Sequence, residues 1–316
     1  MPTTTESELE TRKAIALRSI EIMAAGTRED FAEVLHPEFF NHEQRDEPPA
    51  TRGPGPDQTY GVAEWLRTAY ADLRWDVHDV VAEADLVVVL CTMSGRHVGD
   101  FVTYDLDGRV AEAFAPTGRS FASAQSHWLR IRDGRPVEHW ANRDDLGMGE
   151  QLGWAAPTPL YLMRCALAKR RARRAAGPPV DAEERPFPRW DGASERSKEV
   201  ALRETIRATS EWLSDAFDDV DWIAHHVVAE RGMVAVHLTV GGRHVAPFAF
   251  HERVFPPTGR RFSATQTHWL RLADGHHVVE HRADRDDLGM AMQLGWVPLS
   301  PRYLARMALA ERRARR

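Results

Sequence analysis

Cysteine is almost absent from this chain: Cys91 and Cys165 are its two examples in 316 residues. Both sit in apolar surroundings, VVVLCTM and YLMRCALA, where a buried free thiol is expected and neither a disulfide nor a nucleophile has support. Long apolar runs are missing too. No stretch approaches the roughly 18 apolar residues of a membrane span, and the opening MPTTTESELETRKAIALRS has no signal-peptide core, so a cytoplasmic protein is expected. Positive charge is not in excess. Against 47 Asp and Glu stand 41 Lys and Arg, a net charge of -6 that offers phosphate backbones and anionic membranes no attraction. Neither nucleic acid nor a membrane is an expected partner. A G-x-S-x-G elbow is absent, so a serine hydrolase lacks support, and GPGP (53–56) is a loop without the GK[ST] of a phosphate-binding turn.

What the chain does have is itself, twice. RDDLGM stands at Arg143–Met148 and again at Arg285–Met290. The repetition runs much further, and it is collinear. AEWLRTAYADLRWDVHDVVAE (63–83) pairs with SEWLSDAFDDVDWIAHHVVAE (210–230), and SGRHV (94–98) with GGRHV (241–245). PTGRSFASAQSHWLRIRDG (116–134) then pairs with PTGRRFSATQTHWLRLADG (257–275), and EHWANRDDLGMGEQLGW (138–154) with EHRADRDDLGMAMQLGW (280–296). PLYLMRCALAKRRARR (159–174) and PRYLARMALAERRARR (301–316) close the two series. One domain has been duplicated. The expected organisation is copy 1 over residues 1–176, a proline-rich linker over 177–193, and copy 2 over 194–316. Copy 1 alone carries a leading amphipathic stretch (12–43) ending in LHPEFFNH, so a pocket wall built from Phe39–His42 would exist only there.

The coarse pattern is helix, helix, strand, helix, alternating strands and a terminal helix. LVVVLCTMSGRHV and MVAVHLTVGGRHV read as central strands ended by a glycine turn, and the Asp-Gly pair in SHWLRIRDGRPVEHWANR marks a hairpin. Helices gathered beside an antiparallel sheet indicate an α+β fold. The order of PEFFNH, DLRW, RHVGDF, PTGR and HWLRIRDGRPVEHWANRDDLGMGEQLG resembles the SnoaL-like polyketide cyclase (ester cyclase) family of the NTF2-like superfamily. The resemblance implies two tandem cone-shaped domains, each a curved antiparallel sheet wrapped by helices around a ligand cavity. It also implies ring closure by intramolecular aldol chemistry without metal or organic cofactor. In the family an acidic residue on the strand corresponding to WANRDD acts with a histidine on the neighbouring strand. The position after Trp140, often acidic in relatives, is Ala141 here, and Ala283 in copy 2.

Alternation along Gln125–Ile131 puts His127 with Leu129 and Ile131, facing the apolar interior, and His268 likewise in copy 2. Beyond the turn, Trp140, Asn142 and Asp144 share a face, as do Arg282, Asp284 and Asp286. Enolate chemistry needs a base for a carbon-bound proton and a donor for the oxygen that gains charge. Asp144 (Asp286) is the candidate base and His127 (His268) the oxygen-side partner. Phe40, Asn41, His42, Trp65, Trp140 and Asn142, with Asp284 in copy 2, are candidate substrate contacts. The bland alternatives are an Asp that caps the helix before LGM and a satisfied core histidine.

HVVEH (277–281) matches a zinc signature in letters, but that site needs a helix and these residues follow a turn in a strand-rich run; no metal is expected. The KRRARR and ERRARR runs read as solvated helix ends. The leading expectation is therefore a cyclase or isomerase acting on a polyketide-like small molecule. The alternatives are a non-catalytic small-molecule binder, or an epoxide-opening enzyme, which would need an Asp-Arg-Asp cluster. Outward tryptophans Trp128 and Trp269 suggest that the two copies form an internal pseudo-dimer across their sheets, with further homo-oligomers open.

Overall fold

The computed structural model describes residues 5–154, 159–190, 192, 195–250 and 253–297. The chain forms two compact units, Met1–Pro186 and Phe187–Arg316, each with an α+β architecture. In the first unit, α1 (Glu6–Ala25) and α2 (Arg28–Val34) both begin with a capping box, Thr5 with Glu8 and Thr27 with Asp30. The end of α1 is closed from α3 (Pro56–Ala69): the Arg67 guanidinium donates to the carbonyls of Ile22, Met23 and Gly26 at 2.6, 3.0 and 2.8 Å. These carbonyls lie in the last turn of the helix, where the Ile22 oxygen also takes the Gly26 N–H at 2.7 Å and a cation opposes the dipole.

The sheet of the first unit is open, in the order β1 (Phe40–Asn41), β7 (Arg135–Arg143), β6 (Ser120–Arg132), β3 (Leu86–His97), β2 (Tyr70–Glu83). All neighbours are antiparallel except β1, which adds in parallel to β7. Register shifts in β2, with Asp72 at φ 58, bend the sheet as bulges do. The turn between β6 and β7 has positive φ at both Asp133 (53) and Gly134 (72), the signature of a tight hairpin. One face of the sheet buries Ala82, Val87, Val89, Cys91, Leu129 and Ile131 against Ala16 and Ile20 of α1. That is the inner face. A short ribbon, β4 (Phe101–Tyr104) with β5 (Val110–Phe114), is backed by α5 (Pro159–Ala175) through Ala113, Ala115 and Ala168.

The strand expected to stop at a glycine turn does not stop there. β3 runs through Gly95 to His97, because a Cβ at Gly95 would come within 3.2 Å of the Ala71 carbonyl, Leu73 and Phe121. The glycine lets neighbouring strands and side chains close in.

The second unit repeats the pattern without the leading helices. It opens with α6 (Arg196–Leu213), followed by an open sheet β13 (His277–Arg285), β12 (Arg261–Ala273), β9 (Met233–His244), β8 (Phe217–Glu230). The ribbon β10 (Phe248–Phe250) with β11 (Arg253–Phe255) precedes β12, and α7 (Asp287–Leu294) follows β13. The expected closing helix of copy 2 (301–316) lies outside the described residues.

The proline-rich segment is pinned at both ends instead of hanging free. In the first unit Ala182 N–H donates to Leu106, and the Arg52 guanidinium donates to the carbonyls of Arg45, Asp105, Leu106 and Val180. In the second, Trp190 N–H donates to Ala224 at 2.9 Å and His225 Nδ1 contacts the Pro188 carbonyl at 3.0 Å.

Candidate active site on the inner face of the first sheet

Cross-strand register decides which side chains meet. His127 stands opposite Ala141, and Leu129 opposite His139, while Trp128 faces Trp140 and Ser126 faces Asn142. Opposed residues share a face. His127, His139 and Arg143 therefore lie on the inner face, and Trp128, Trp140 and Asn142 on the other. β1 divides in the same way. Asn41, opposite His139, joins the inner face; Phe40 and His42 pack edge-on at 4.9 Å, His42 lies 5.8 Å from the Trp140 ring, and Arg185 stacks over Phe40 at 3.6 Å. So of the residues expected from sequence, the structure brings His127 and Asn41 together, and sets Phe40, His42, Trp140 and Asn142 apart from them. Trp65 is elsewhere again, donating to the Val102 carbonyl at 3.0 Å and stacking on Phe101 at 4.8 Å.

Asp144 is the N-cap of α4 (Asp145–Gln151): its Oδ1 accepts from Gly147 N–H at 2.8 Å. Asp286 caps α7 identically through Gly289 N–H at 2.7 Å. In copy 2, Asp284 and His268 are both buried, but Thr267 faces Asp284 and His268 faces Ala283, so these two again point to opposite faces. HVVEH lies in β13, not on a helix.

The inner face holds a continuous hydrogen-bonded line. Trp75 Nε1–H donates to Gln125 Oε1 at 3.1 Å, and the same oxygen lies 2.9 Å from His127 Nε2. His127 Nδ1 is 2.9 Å from His139 Nε2, and His139 Nδ1 is 2.9 Å from Asn41 Oδ1. Asn41 Nδ2 donates to Glu47 Oε1 at 2.7 Å. Beside the line, Arg143 is bracketed by Asp145 Oδ2 at 3.3 Å and Glu43 Oε2 at 3.5 Å, while Glu43 Oε1 accepts the Ala141 N–H at 3.0 Å. The strand position after Trp140 thus carries no carboxylate of its own, being Ala141, and carboxylates reach the region from the turn after β1.

Burial sets the protonation states. It pushes His127 down to about 3, helped by the Arg143 charge, and holds His139 well below the ordinary histidine value. Glu47, 5% exposed, is pushed up to about 8 by burial, with Glu43 adding to the rise and Arg143 opposing it. Arg143 is held more firmly protonated, above all by Asp145. Copy 2 keeps only part of this: His268 contacts His281 at 2.8 Å and Gln266 at 2.9 Å, and burial pushes His268 down to about 3. Among the described residues no strand flanks β13 at the sheet edge to supply a counterpart of Asn41 or Glu47, and His281 is exposed.

His139, Gln125, Arg143 and Glu47 were not among the residues expected from sequence. His139 is hidden by the register shift in β7, which puts it on the face of Ala141, the partner of His127. Glu47 has no signal either: it sits between two short 3-10 turns, Gln44–Asp46 and Pro49–Thr51, in a run without periodicity.

The model for the SnoaL-like polyketide cyclase family matches residues 13–152 and again 195–294. Aklanonic acid methyl ester cyclase DnrD of Streptomyces peucetius is 29% identical over 152 residues, covering 48% of this chain and 97% of that protein. Aklanonic acid methyl ester cyclase DauD of Streptomyces sp. (strain C5) is 30% identical over 156 residues, covering 49% and 89%. Among solved structures, TsrD of Streptomyces laurentii is 25% identical, covers 46% of this chain and 96% of its own, and has a TM-score of 0.37.

Proposed function

Since this chain belongs to the SnoaL-like polyketide cyclase family, we propose that its first copy closes a ring on a polyketide-like substrate by acid–base chemistry at the inner-face histidines. The observation that carries this reading is the His127–His139 contact at 2.9 Å, in a setting that keeps both imidazoles neutral. A neutral imidazole N–H is a suitable donor to a carbonyl oxygen that becomes an enolate or alkoxide. His127 Nε2–H is the atom assigned to that task. Its present acceptor, Gln125 Oε1, also accepts from Trp75, and so keeps a partner when a substrate carbonyl takes over the His127 proton. Across the reaction one C–H bond and the π bond of the ketone carbonyl break, one C–C bond forms between enolate carbon and ketone carbon, and one O–H bond forms.

The relatives named for aklanonic acid methyl ester supply the first substrate to try. Ring closure on that ester by the whole chain, lost on His127→Gln and kept on His268→Gln, is the expected result. No closure of this or any related keto ester would sink the assignment.

A second reading has its own observation. Glu43, Arg143 and Asp145 form a carboxylate–guanidinium–carboxylate group of the kind epoxide opening requires to activate water. Conversion of an epoxide with incorporation of labelled solvent oxygen, abolished by Arg143→Gln and not by His127→Gln, would favour it. The pairing of the two copies across their sheets is also proposed, on the sequence argument alone.

A further inference from the structure

Counting protons along the inner-face line leads beyond the histidine pair. Three contacts must each contain one hydrogen: Gln125 Oε1 with His127 Nε2, His127 Nδ1 with His139 Nε2, and His139 Nδ1 with Asn41 Oδ1. Both ends are oxygen acceptors. Two neutral imidazoles supply two N–H groups for the three contacts, so one contact would set a nitrogen lone pair against an oxygen at 2.9 Å. One more proton is needed, and there are two places for it. Either an imidazole is cationic, with Asn41 donating to a Glu47 carboxylate, or Glu47 is a neutral acid. In the second arrangement its O–H donates to the Asn41 oxygen and the turned amide donates to His139 Nδ1. Both arrangements hold the same number of protons and satisfy the contacts along the line from Gln125 to Glu47. They differ by a half turn of one amide, whose two ends are nearly equal in shape, and by the Glu43 N–H contact to Asn41 Oδ1 at 3.2 Å.

We propose that Glu47 and the His139–His127 pair share one exchangeable proton, its location coupled to the orientation of the Asn41 amide between them, so that Glu47 is the proton store of the first copy. The Glu43 N–H on Asn41 Oδ1 favours a Glu47 carboxylate, and the other oxygen of Glu47 favours the acid at rest. That Oε2 is buried and, among the described residues, accepts no hydrogen bond, an arrangement costly for a carboxylate and tolerable for an acid. Burial acts in the same sense on both partners, raising the acid and lowering the histidines. The charged groups facing Glu47 are Arg143 from β7, Arg52 from the following turn and Glu43 from the preceding one; the two arginines resist the proton and Glu43 retains it. Glu47 acts through Asn41 and His139 and is a positioning residue. The inference rests on the acid–base reading above. The shared proton would go to the carbonyl oxygen that becomes the alcohol, and the carbon acid would return one, leaving the line unchanged after each closure.

The test uses the full chain, labelled with 15N at histidine and 13C at glutamate carboxyls. The Glu47 carboxyl carbon and His139 Nδ1 should titrate together with a midpoint near 8. The His268–His281 pair, with no glutamate of this kind, is the internal control. Glu47→Gln reproduces the hydrogen bonds of the neutral acid. It should keep the melting temperature within a few degrees, erase the joint titration, and lower kcat on a keto ester on the order of 100-fold or more with little change in KM. A Glu47 that titrates below 5, or a His139 that ignores its titration, overturns the proposal. So does a Glu47→Gln enzyme with unaltered pH profile and kcat, an outcome that leaves the cyclase reading standing. A joint titration without turnover on any substrate would instead keep the shared proton and remove the cyclase reading.

Discussion

Single residues in this chain are chosen between structural and chemical roles by what their polar atoms already touch. Asp144 and Asp286 each give an oxygen to a helix N-terminus in the same geometry. Replacing either by Ala should cost about 1 kcal/mol, the usual worth of an N-cap, measured by denaturant unfolding. Asp144→Asn, which retains the cap, should leave turnover within about threefold; a loss of 100-fold would return the base to Asp144. The buried histidines fix the acid limb of stability. His127 and His268 titrate near 3 in the fold against 6.5 when unfolded, so their contribution is full above 6.5 and is lost as pH falls toward 3. Glu47 works the other way: its contribution is full below 4.5 and is lost as pH rises through about 8. Unfolding followed from pH 7 to 3 should show falling stability that His127→Gln and His268→Gln flatten. An unchanged slope in both variants would mean that the two imidazoles are not buried neutral.

At the scale of elements, one extra residue in β7 explains which parts of the site the sequence could reveal. The hairpin, its Asp-Gly turn and the inward face of His127 are legible from alternation, because period-two patterning is set by burial. Continuing the Arg132–Arg135 and Ile131–Pro136 pairing without a break would set Trp140 opposite His127. The register instead shifts between Arg130 and Ile131, and from there on every β7 side chain changes face. That shift sends Trp140 and Asn142 outward and brings His139 and Arg143 in. Nothing in RPVEHW announces it. Backbone NOEs should connect His127 to Ala141; a direct pairing of His127 with Trp140 would restore the arrangement expected from the sequence. The two-residue β1 could not be read either, since its only partner is the far edge of the sheet. The helix that covers the inner face was legible, through Ile20 and its neighbours at helical spacing. Ile20→Ala should cost about 2–4 kcal/mol, read from the unfolding midpoint.

Across the whole molecule, duplication and its unequal outcome were plain in the letters: two collinear series, with LHPEFFNH in one of them. Copy 2 retains the histidine pair and Gln266, but among the described residues it has no strand beyond β13 to bring an asparagine and a glutamate to it. On the proposed reading, proton transfer belongs to copy 1 and copy 2 is a structural partner. Copy 1 produced without residues 187–316 should self-associate at micromolar concentration, and a stable monomer by light scattering would remove the argument that the copies cover each other. The central claim is the division of labour between two nearly identical histidine pairs, and its most direct measurement is a paired comparison of kcat/KM on a keto-ester substrate for His139→Gln and His281→Gln in the full chain. The account predicts a loss of 100-fold or more for His139→Gln and less than threefold for His281→Gln; equal losses in the two, or a loss confined to His281→Gln, would contradict it.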